Sequence, residues 1–384
     1  MAPQSTPTYA PDNMRILHIA SWYPSMSHRT LGNFVQRHVQ AIATINPSEV
    51  WYAAPVEAGR DIPLNETIES ERLTERIAYF KAKRPVVMHT TRALLRLAEG
   101  QESSFDAIHL HVAYPAGQAA RILAKRWNVP LILTEHWTAY HADQRQKLPF
   151  WRKHSMRLTG RACQLICPVS EDLAESMRTF GMGNEFRVVP NVVDTELFHP
   201  SAEPSSKDSF EFLHISSLVD DHKNVSGILR AAAVCLDEQD DLQWTILGDG
   251  DPKPHQEFAK SLGIEQHVTI GGEITLDEVA KRMRQANALI LFSHFENFPC
   301  VIPEAWASGI PVISSDVGGI REHLNDERGR LVPAGDEEAL IKAIREIRQS
   351  PWDSMALRTH AENVFSVKAV ARAFHRTYQS LEKR

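Results

Sequence analysis

Short apolar runs rich in β-branched residues alternate along this chain with longer stretches of helical periodicity. Such runs include RILHIA, DAIHLH and PLILT, and the hydrophobicity of DAIHLH and LILT is continuous rather than alternating, which is typical of parallel strands buried on both faces. A succession of this kind folds into a mostly parallel sheet with helices on both sides. In the first half, the pattern predicts strands at 15–20, 49–54, 106–111, 130–134, 164–169 and 186–189, and helices at 31–45, 88–99, 115–127, 150–161 and 171–180.

A second series of the same type follows residues 199–210, whose Pro, Ser and charged residues are typical of a linker. We therefore predict two doubly wound domains, 1–199 and 200–365, with a final helix in 366–384 that could complete the first domain. A length of 384 residues is compatible with two domains of ordinary size. The second series predicts strands at 211–216, 242–247, 267–270, 288–292, 311–314 and 329–332, and helices at 223–237, 253–262, 275–286, 301–308 and 336–349.

The charge of the chain is unevenly distributed between these halves. Residues 1–200 carry 22 Lys+Arg and 19 Asp+Glu, whereas residues 201–384 carry 20 and 29. A basic half and an acidic half indicate domains with different partners. Residues 1–13 lack the basic start and apolar centre of a signal peptide, and no apolar run is long enough to span a membrane. The sequence thus predicts a flexible tail and a cytoplasmic protein.

Several well-known site motifs are missing. A dinucleotide site needs G-x-G-x-x-G after the first strand of a domain, but the first such turn contains one glycine, Gly32. In the LGDGDPKP turn, Lys253 stands where the third glycine would be, after Gly248 and Gly250. No P-loop, H-E-x-x-H or G-x-S-x-G sequence is present, and the 18 histidines are scattered. A nicotinamide enzyme and a metal site are therefore not predicted.

The most informative segment is ALILFSHFENFPCVIPEAW, in which a buried strand, a loop and a helix follow one another. Glu296 lies in the loop and Glu304 on the helix, which is predicted to begin near Cys300 with Pro299 in its first turn. The first amides of a helix are unpaired and attract anions, so the amides of Cys300 and Val301 could hold phosphate. Carboxylates on either side would accept hydrogen bonds from hydroxyls. Phosphate beside hydroxyls describes a nucleotide sugar.

Residues 293–323, with this E-x(7)-E pair and the following GIPVISSDVGGIREHL, resemble the retaining glycosyltransferases of family 4, or glycosyl transferases group 1. The resemblance extends over nearly the whole chain, through RILHIASWYPS, VSEDLAESMRTFG, RVVPNVVDTELFHP, FLHISSLVDDHKNVSGILRAA and WTILGDGD. It implies the GT-B fold, in which two Rossmann-like domains face a central cleft. It also implies transfer of a sugar from a nucleoside diphosphate sugar to an acceptor hydroxyl without a metal cofactor, in glycan, polysaccharide or glycolipid synthesis.

The resemblance assigns roles to matching residues. Glu304 would hold the donor ribose, Glu296 the hydroxyls of the transferred sugar, and Lys223 the diphosphate. His136 would face the sugar from the other domain, so His136, Glu296 and Lys223 form the implied catalytic set. The implied donor-binding residues are Ser217, Lys223, Gly248, Ile274, Glu296, Phe298, Pro299, Cys300, Val301 and Glu304, and Gly32 and Asn33 would form an acceptor or phosphate loop.

The chain departs from the family pattern at two positions. Ser217 stands where the family usually has an arginine that joins the lysine on the diphosphate, and Pro299 stands where many members have glycine. Serine offers a hydrogen bond but no charge, so His222 is a nearby candidate for the missing cation. A non-catalytic nucleotide-sugar-binding protein and a transferase for a small acceptor, of sugar-phosphate or malate type, are therefore alternatives.

Two stretches of the predicted acceptor domain contain no acidic residue. The second has the pattern of a basic amphipathic helix with aromatic residues near its start, which could lie on an anionic membrane. A phosphorylated, lipid-linked acceptor is the other possible partner, and an ordinary solvated helix face is the simplest alternative. With a pI of 6.3, nucleic acid is not expected. The basic residues are Arg76, Lys81, Lys83, Arg84, Arg92 and Arg96 in the first stretch, and Arg145, Lys147, Arg152, Lys153, Arg157 and Arg161 in the second.

Overall fold

The computed structural model describes residues 14–57, 62–82, 84–101, 104–183, 185–201, 209–238 and 241–381. The chain forms two compact units, one of residues 1–192 with 368–384 and the other of residues 193–367. The sequence had placed this boundary at residue 199. The expected tail (1–13), most of the expected linker (202–208) and Lys83 lie outside the described residues.

The first unit contains a seven-stranded sheet in the order β3-β4-β2-β1-β5-β6-β7. All neighbouring strands are parallel except β3, which pairs antiparallel with β4 at the edge. The strand order changes direction between β1 and β5, and such switch points are where α/β sheets bind their ligands. The strands are β1 (Ile16–Ala20), β2 (Ser48–Val56), β3 (Asn65–Glu69), β4 (Leu73–Lys81), β5 (Ala107–His111), β6 (Leu131–Glu135) and β7 (Leu165–Pro168).

The β3–β4 hairpin was not predicted, and one predicted strand is not formed. NETIE contains a single apolar residue, and in LTERIAYFK the adjacent Glu75 and Arg76 interrupt the apolar residues, so neither strand is apolar throughout like the central strands. Residues 186–189, predicted as a strand, contribute a single bridge between Phe186 and Ile166. The error has a simple cause, since an apolar run beside an edge strand need not extend the ladder.

The described part of the first unit also contains seven α-helices. They are α1 (Asn33–Ala43), α2 (Val86–Leu97), α3 (Gly117–Trp127), α4 (Ala142–Arg145), α5 (Phe150–Ala162), α6 (Glu171–Phe180) and the C-terminal α14 (Val367–Gln379). The last helix packs on the first unit, because the hydroxyl of Tyr378 lies 2.7 Å from Nδ1 of His109 and the ring of Phe374 lies 5.2 Å from the ring of His109. The sequence had left open which domain would hold this helix.

The second unit contains a six-stranded, fully parallel sheet in the order β10-β9-β8-β11-β12-β13. All six strands were predicted, and two Rossmann-like domains are confirmed. The switch point lies between β8 and β11. The strands are β8 (Phe210–Ser216), β9 (Leu242–Gly248), β10 (Val268–Gly271), β11 (Ala288–Leu291), β12 (Val312–Ser315) and β13 (Gly329–Val332). The helices are α7 (Asp220–Lys223), α8 (Val225–Glu238), α9 (Lys253–Ser261), α10 (Leu276–Gln285), α11 (Val301–Ala307), α12 (Glu337–Gln349) and α13 (Ser354–Phe365).

Candidate active site

The switch point of the second unit brings together Lys223 and Glu296, which are 73 residues apart in sequence. Lys223 ends α7, which follows β8, and Glu296 lies in the loop after β11. Because adjacent parallel strands end at the same edge of the sheet, both loops lie side by side there. The Lys223 Nζ lies 2.5 Å from Oε1 of Glu296, and the two side chains are only 18% and 10% exposed. The structure thus pairs two of the three residues expected to be catalytic.

The loop that carries Glu296 is held in place from three directions. The hydroxyl of Ser293 donates to Oε1 of Glu296 at 2.8 Å. The amide of His294 donates to the carbonyl of His222 at 2.8 Å, which ties this loop to the lysine loop. Gly318, at φ +56°, approaches so closely that a Cβ there would lie 2.2 Å from the Glu296 carbonyl oxygen. These contacts fix the carboxylate before any ligand arrives.

Ser217 lies in a tight turn between β8 and α7. The carbonyl of Ile290 accepts a hydrogen bond from Nδ1 of His214, so Nε2 of this histidine accepts from the hydroxyl of Ser216 at 2.7 Å. The Ser216 oxygen in turn accepts from the amide of Leu218 at 3.1 Å. A Cβ at Gly248 would lie 1.7 Å from the carbonyl oxygen of Ser216. Gly248 therefore has a steric role in this turn.

The helix after the Glu296 loop begins at residue 301, as predicted, but Pro299 does not lie in its first turn. Its first residue is Val301 with Cys300 as the N-cap, so Pro299 precedes the helix. The side chain of Glu304 is 3% exposed. The Phe298 side chain is also buried and stacks on Phe365 at 5.3 Å between ring centroids. Any contact of Phe298 with a ligand would therefore come from its backbone.

The remaining predicted residues lie elsewhere in the two units. Ile274 is half-buried just before α10 and packs against an apolar cluster of the second unit. Gly32 is the N-cap of α1 at φ +76°, and Asn33 is the first residue of that helix. His136 follows β6 in the first unit, with its ring 4.4 Å from the ring of Phe34.

The backbone that carries His136 is organised by Glu135, a residue the sequence did not single out. The buried carboxylate of Glu135 accepts from the amides of His136 and Trp137 at 2.9 and 3.0 Å. It also accepts from the amide of Ala113 at 3.0 Å and the hydroxyl of Tyr140 at 2.7 Å. A carboxylate buried in this way stabilises the turn after β6, because its charge is satisfied by four donors.

Five histidines that are scattered in sequence meet in the first unit. His18 on β1 pairs in register with His109 on β5, and His111 shares a face with His109 because side chains alternate along a strand. The rings of His38 and His136 lie 5.1 Å apart beside them. Burial lowers the pKa of His18 to about 3 and that of His38 to about 4, so both are neutral near pH 7.

Hydrogen bonds fix the tautomers of two of these rings. The hydroxyl of Ser48 donates to the Asn46 carbonyl at 2.9 Å, so its oxygen accepts from Nε2–H of His18 at 3.2 Å. His18 Nδ1 is then an acceptor, and it receives Nε2–H of His111 at 3.0 Å. The Nδ1 atom of His111 consequently carries a buried lone pair.

The same logic applies to His38, whose Nε2–H donates to the Pro190 carbonyl at 2.9 Å and whose Nδ1 therefore carries a lone pair. His38, His111 and His136 each place a ring nitrogen within 4.8 Å of the others. Three imidazoles of this kind are the ligand set of many zinc sites, and a backbone carbonyl behind a ligating ring is a usual support. Among the described residues, these three rings are one of two histidine groups with the spacing of metal ligands; His18, His109 and His111 are the other.

Comparison with protein families identifies the chain. Residues 48–197 match the model of Glycosyltransferase Family 4, and residues 197–364 match that of Glycosyl transferases group 1. The two models meet at residue 197 and together cover residues 48–364. This chain belongs to the family 4 glycosyltransferases. Its resemblance to that family and its assignment as a glycosyltransferase are confirmed.

Curated relatives of this glycosyltransferase are similar over most of its length. A Bacillus subtilis (strain 168) protein named as a teichuronic acid biosynthesis glycosyltransferase, TuaC, is 23% identical over 403 residues, covering 96% of this chain and 99% of the relative. A D-inositol 3-phosphate glycosyltransferase of Paenarthrobacter aurescens (strain TC1) is 27% identical, covering 67% of this chain and 69% of the relative.

Solved structures of similar fold confirm the GT-B class. Sucrose-phosphate synthase from Thermosynechococcus elongatus superimposes with a TM-score of 0.80 at 19% identity, over 96% of this chain and 99% of that one. Anabaena HepE in complex with UDP and glucose gives 0.73 at 16% identity, over 96% and 100%. Among the described residues of this glycosyltransferase, no helix has the length and apolar character needed to cross a bilayer.

Proposed function

We propose that this enzyme transfers a sugar from a nucleoside diphosphate sugar to an acceptor hydroxyl with retention of anomeric configuration. The observation that carries the proposal is the Lys223–Glu296 pair at the switch point between β8 and β11. The ammonium group of Lys223 can bind a diphosphate, and the neighbouring carboxylate of Glu296 can accept hydrogen bonds from sugar hydroxyls. The relative HepE, of the same fold, was solved with UDP and glucose, which is consistent with such a donor.

In the proposed reaction, separate residues bind the diphosphate, the transferred sugar and the ribose. Lys223 neutralises the charge that develops on the leaving diphosphate, which is an effective way to stabilise a transition state. Glu296 accepts hydrogen bonds from hydroxyls of the transferred sugar, and Glu304 holds the ribose. The bond from the anomeric carbon to the phosphate oxygen breaks, a bond to the acceptor oxygen forms, and the acceptor proton passes to the leaving phosphate. His136 contributes a neutral imidazole that can hydrogen-bond a sugar hydroxyl.

Donor binding must rearrange the ion pair. In the structure, Lys223 is already engaged by Glu296, so the diphosphate competes with this carboxylate for the ammonium group. The hydroxyl of Ser293 remains as a donor to Glu296 when Lys223 moves to the phosphate. With Ser217 at the position of the usual arginine, the lysine carries more of the phosphate binding.

We expect donor turnover to be independent of a metal ion, because Lys223 and backbone amides handle the phosphate. The test is release of the nucleoside diphosphate from UDP-, GDP- and ADP-sugars, before and after dialysis against EDTA. Release from one donor at an unchanged rate after EDTA supports the proposal, and release from none contradicts it. A rate that EDTA abolishes and Zn²⁺ restores would instead indicate a required metal, with the His38, His111 and His136 rings as its first candidate ligands.

We also propose that α5 contacts an anionic membrane. Phe150 is 83% exposed and Trp151 is 47% exposed, and Leu158 follows Trp151 two helical turns later. Arg161 is exposed on the same side. Not every basic residue faces outward, since Arg152 lies over the ring of Tyr114 at 4.6 Å. The exposed face nevertheless combines aromatic and basic side chains, which is typical of helices that lie in a membrane interface.

The membrane proposal predicts that Phe150→Ser with Trp151→Ser lowers binding to vesicles of phosphatidylglycerol and phosphatidylcholine by about tenfold or more, since two interfacial anchors are lost. Flotation at low salt measures the effect. Met355→Ser is the control, because Met355 is an exposed apolar residue of the second unit. Absence of wild-type binding, or an equal loss in the control, would refute the role of α5.

A further inference from the structure

A groove on the first unit is formed by one face of the β3–β4 hairpin. Ile68 pairs with Glu75 and Glu66 pairs with Ile77, so these four side chains lie together on that face. The loop after β1 and the first turns of α1 close the groove, which has a volume of about 600 Å³. It is lined by Tyr23, Pro24, Ser25, Met26, Arg29, Gln36, Ile62, Glu66, Ile68, Glu75 and Ile77.

Two glutamate carboxylates in this groove can accept hydrogen bonds from a ligand. Glu75 is 8% exposed, and it accepts from the hydroxyl of Tyr23 and, at 3.5 Å, from the amide of Gln36. Glu66 accepts from the hydroxyl of Tyr79 at 2.6 Å. Neither carboxylate forms an ion pair with another of the described residues. An ionised carboxylate can accept about four hydrogen bonds, so both groups keep acceptor capacity for a ligand.

Both tyrosine hydroxyls remain donors to these carboxylates. Burial and the negative charge of Glu75 raise the pKa of Tyr23 far above its ordinary value, and burial with the Glu66 hydrogen bond raises that of Tyr79 to about 12. The tyrosines therefore fix the carboxylates as acceptors at neutral pH. A ligand in the groove must donate hydrogen bonds to them, which a dianionic phosphate group cannot do.

The groove is connected to the loop that contains Gly32. A Cβ at Gly32 would lie 2.5 Å from the carbonyl carbon of Trp22 and 2.8 Å from the amide nitrogen of Tyr23. Gly32 thus holds the backbone of Tyr23, the residue whose hydroxyl contacts Glu75. The loop expected to serve the acceptor is the same loop that forms one wall of the groove.

From this geometry we infer that the groove holds the acceptor and that it selects an uncharged, hydroxyl-rich unit such as a sugar ring. The inference rests on the proposed function, since it names the acceptor class of that reaction. Hydroxyls of the acceptor donate to Glu66 and Glu75, and Met26, Ile62 and Ile68 contact its apolar C–H faces. The volume is within the range of small-molecule sites. Arg29 is exposed, so the lining retains an excess of negative charge that disfavours an acceptor phosphate here.

The test compares methyl hexosides with the 6-phosphates of the same sugars as acceptors for the full-length enzyme. We expect at least one methyl hexoside to accelerate nucleoside diphosphate release and its 6-phosphate to be poorer by about tenfold or more, given the carboxylates. Glu75→Gln should raise KM for that hexoside about tenfold, since a charged hydrogen-bond acceptor is lost. Background hydrolysis of the donor is measured without acceptor for each protein and subtracted, so that the comparison concerns only the acceptor-dependent rate.

Glu66→Gln tests the same site without altering the buried Glu75, and Glu69→Gln is the matched control. Glu69 is an exposed glutamate on the same strand, and alternation places it on the opposite face of the hairpin. The inference is overturned if no methyl hexoside accelerates release, if the 6-phosphates are the better acceptors, or if all three variants behave like the wild type. Failure of the proposed function is distinct, because it would abolish donor hydrolysis in the wild type as well.

Discussion

Replacing Lys223 by alanine is expected to lower kcat/KM for sugar transfer by about 10²–10³-fold, the usual cost of removing one preorganised group that stabilises developing charge. Lys223 is the cation that the structure places at the switch point of the second sheet, in a pair with Glu296. The arginine that usually assists it is replaced by Ser217, so the loss should be near the upper end of that range. Initial rates with a saturating acceptor measure the effect.

For Lys223→Ala, the effect on the free energy of unfolding has to be measured separately from the effect on sugar transfer. Removing Lys223 takes away the cation beside Glu296 and leaves the hydroxyl of Ser293 as a donor to it, which we expect to cost about 1–2 kcal/mol of unfolding free energy. The double variant Lys223→Ala with Glu296→Gln should recover that stability without recovering transfer. Lys342→Ala is the matched control, because Lys342 is 77% exposed on α12. A Lys223→Ala enzyme with wild-type kcat/KM would exclude the proposed role.

Replacing Glu296 by glutamine is expected to strengthen binding of the nucleoside diphosphate while it slows sugar transfer. The change removes a negative charge beside the diphosphate site and releases Lys223, so the nucleoside diphosphate should bind about three- to tenfold more tightly, as expected for about 1 kcal/mol of relieved competition. Transfer should nevertheless fall by about 10²-fold or more, because hydroxyls of the transferred sugar lose a charged acceptor.

The control for this experiment, Ser293, lies in the same loop after β11 as Glu296. Ser293→Ala removes the other hydrogen bond to Glu296 but leaves the charge and the lysine pair intact. It should lower transfer modestly and leave affinity for the nucleoside diphosphate almost unchanged. Tighter product binding in Ser293→Ala than in Glu296→Gln would contradict the electrostatic explanation.

The sequence predicted the second unit better than the first. All six of its strands are parallel, and the neighbouring strands β11 and β12 are buried throughout, so their apolar runs are easily recognised. The β3–β4 hairpin was missed because polar and charged residues interrupt the apolar residues of both strands, as in NETIE at the edge of the sheet. This omission mattered for function, since Glu66 and Glu75 lie on that hairpin and line the proposed acceptor groove.

In the candidate site, sequence motifs indicated single residues, but the contacts between residues distant in sequence depend on the fold. The resemblance to the family identified Lys223 and Glu296 one by one, but their contact follows from strand order, which brings the ends of β8 and β11 together. The histidine cluster gave no sign in the sequence, because His18, His38 and His136 come from a strand, a helix and a loop. Pairings of this kind depend on the topology of the sheet, and no spacing motif encodes them.

The most direct test of the donor site is titration of the nucleoside diphosphate released by the enzyme into three proteins, the wild type, Lys223→Ala and Glu296→Gln. If Lys223 binds the diphosphate and Glu296 competes for it, affinity should fall about tenfold or more in the lysine variant and rise in the glutamate variant. Opposite signs would establish that the pair at this switch point binds the donor phosphates. Changes of the same sign, or no change in either variant, would contradict the account.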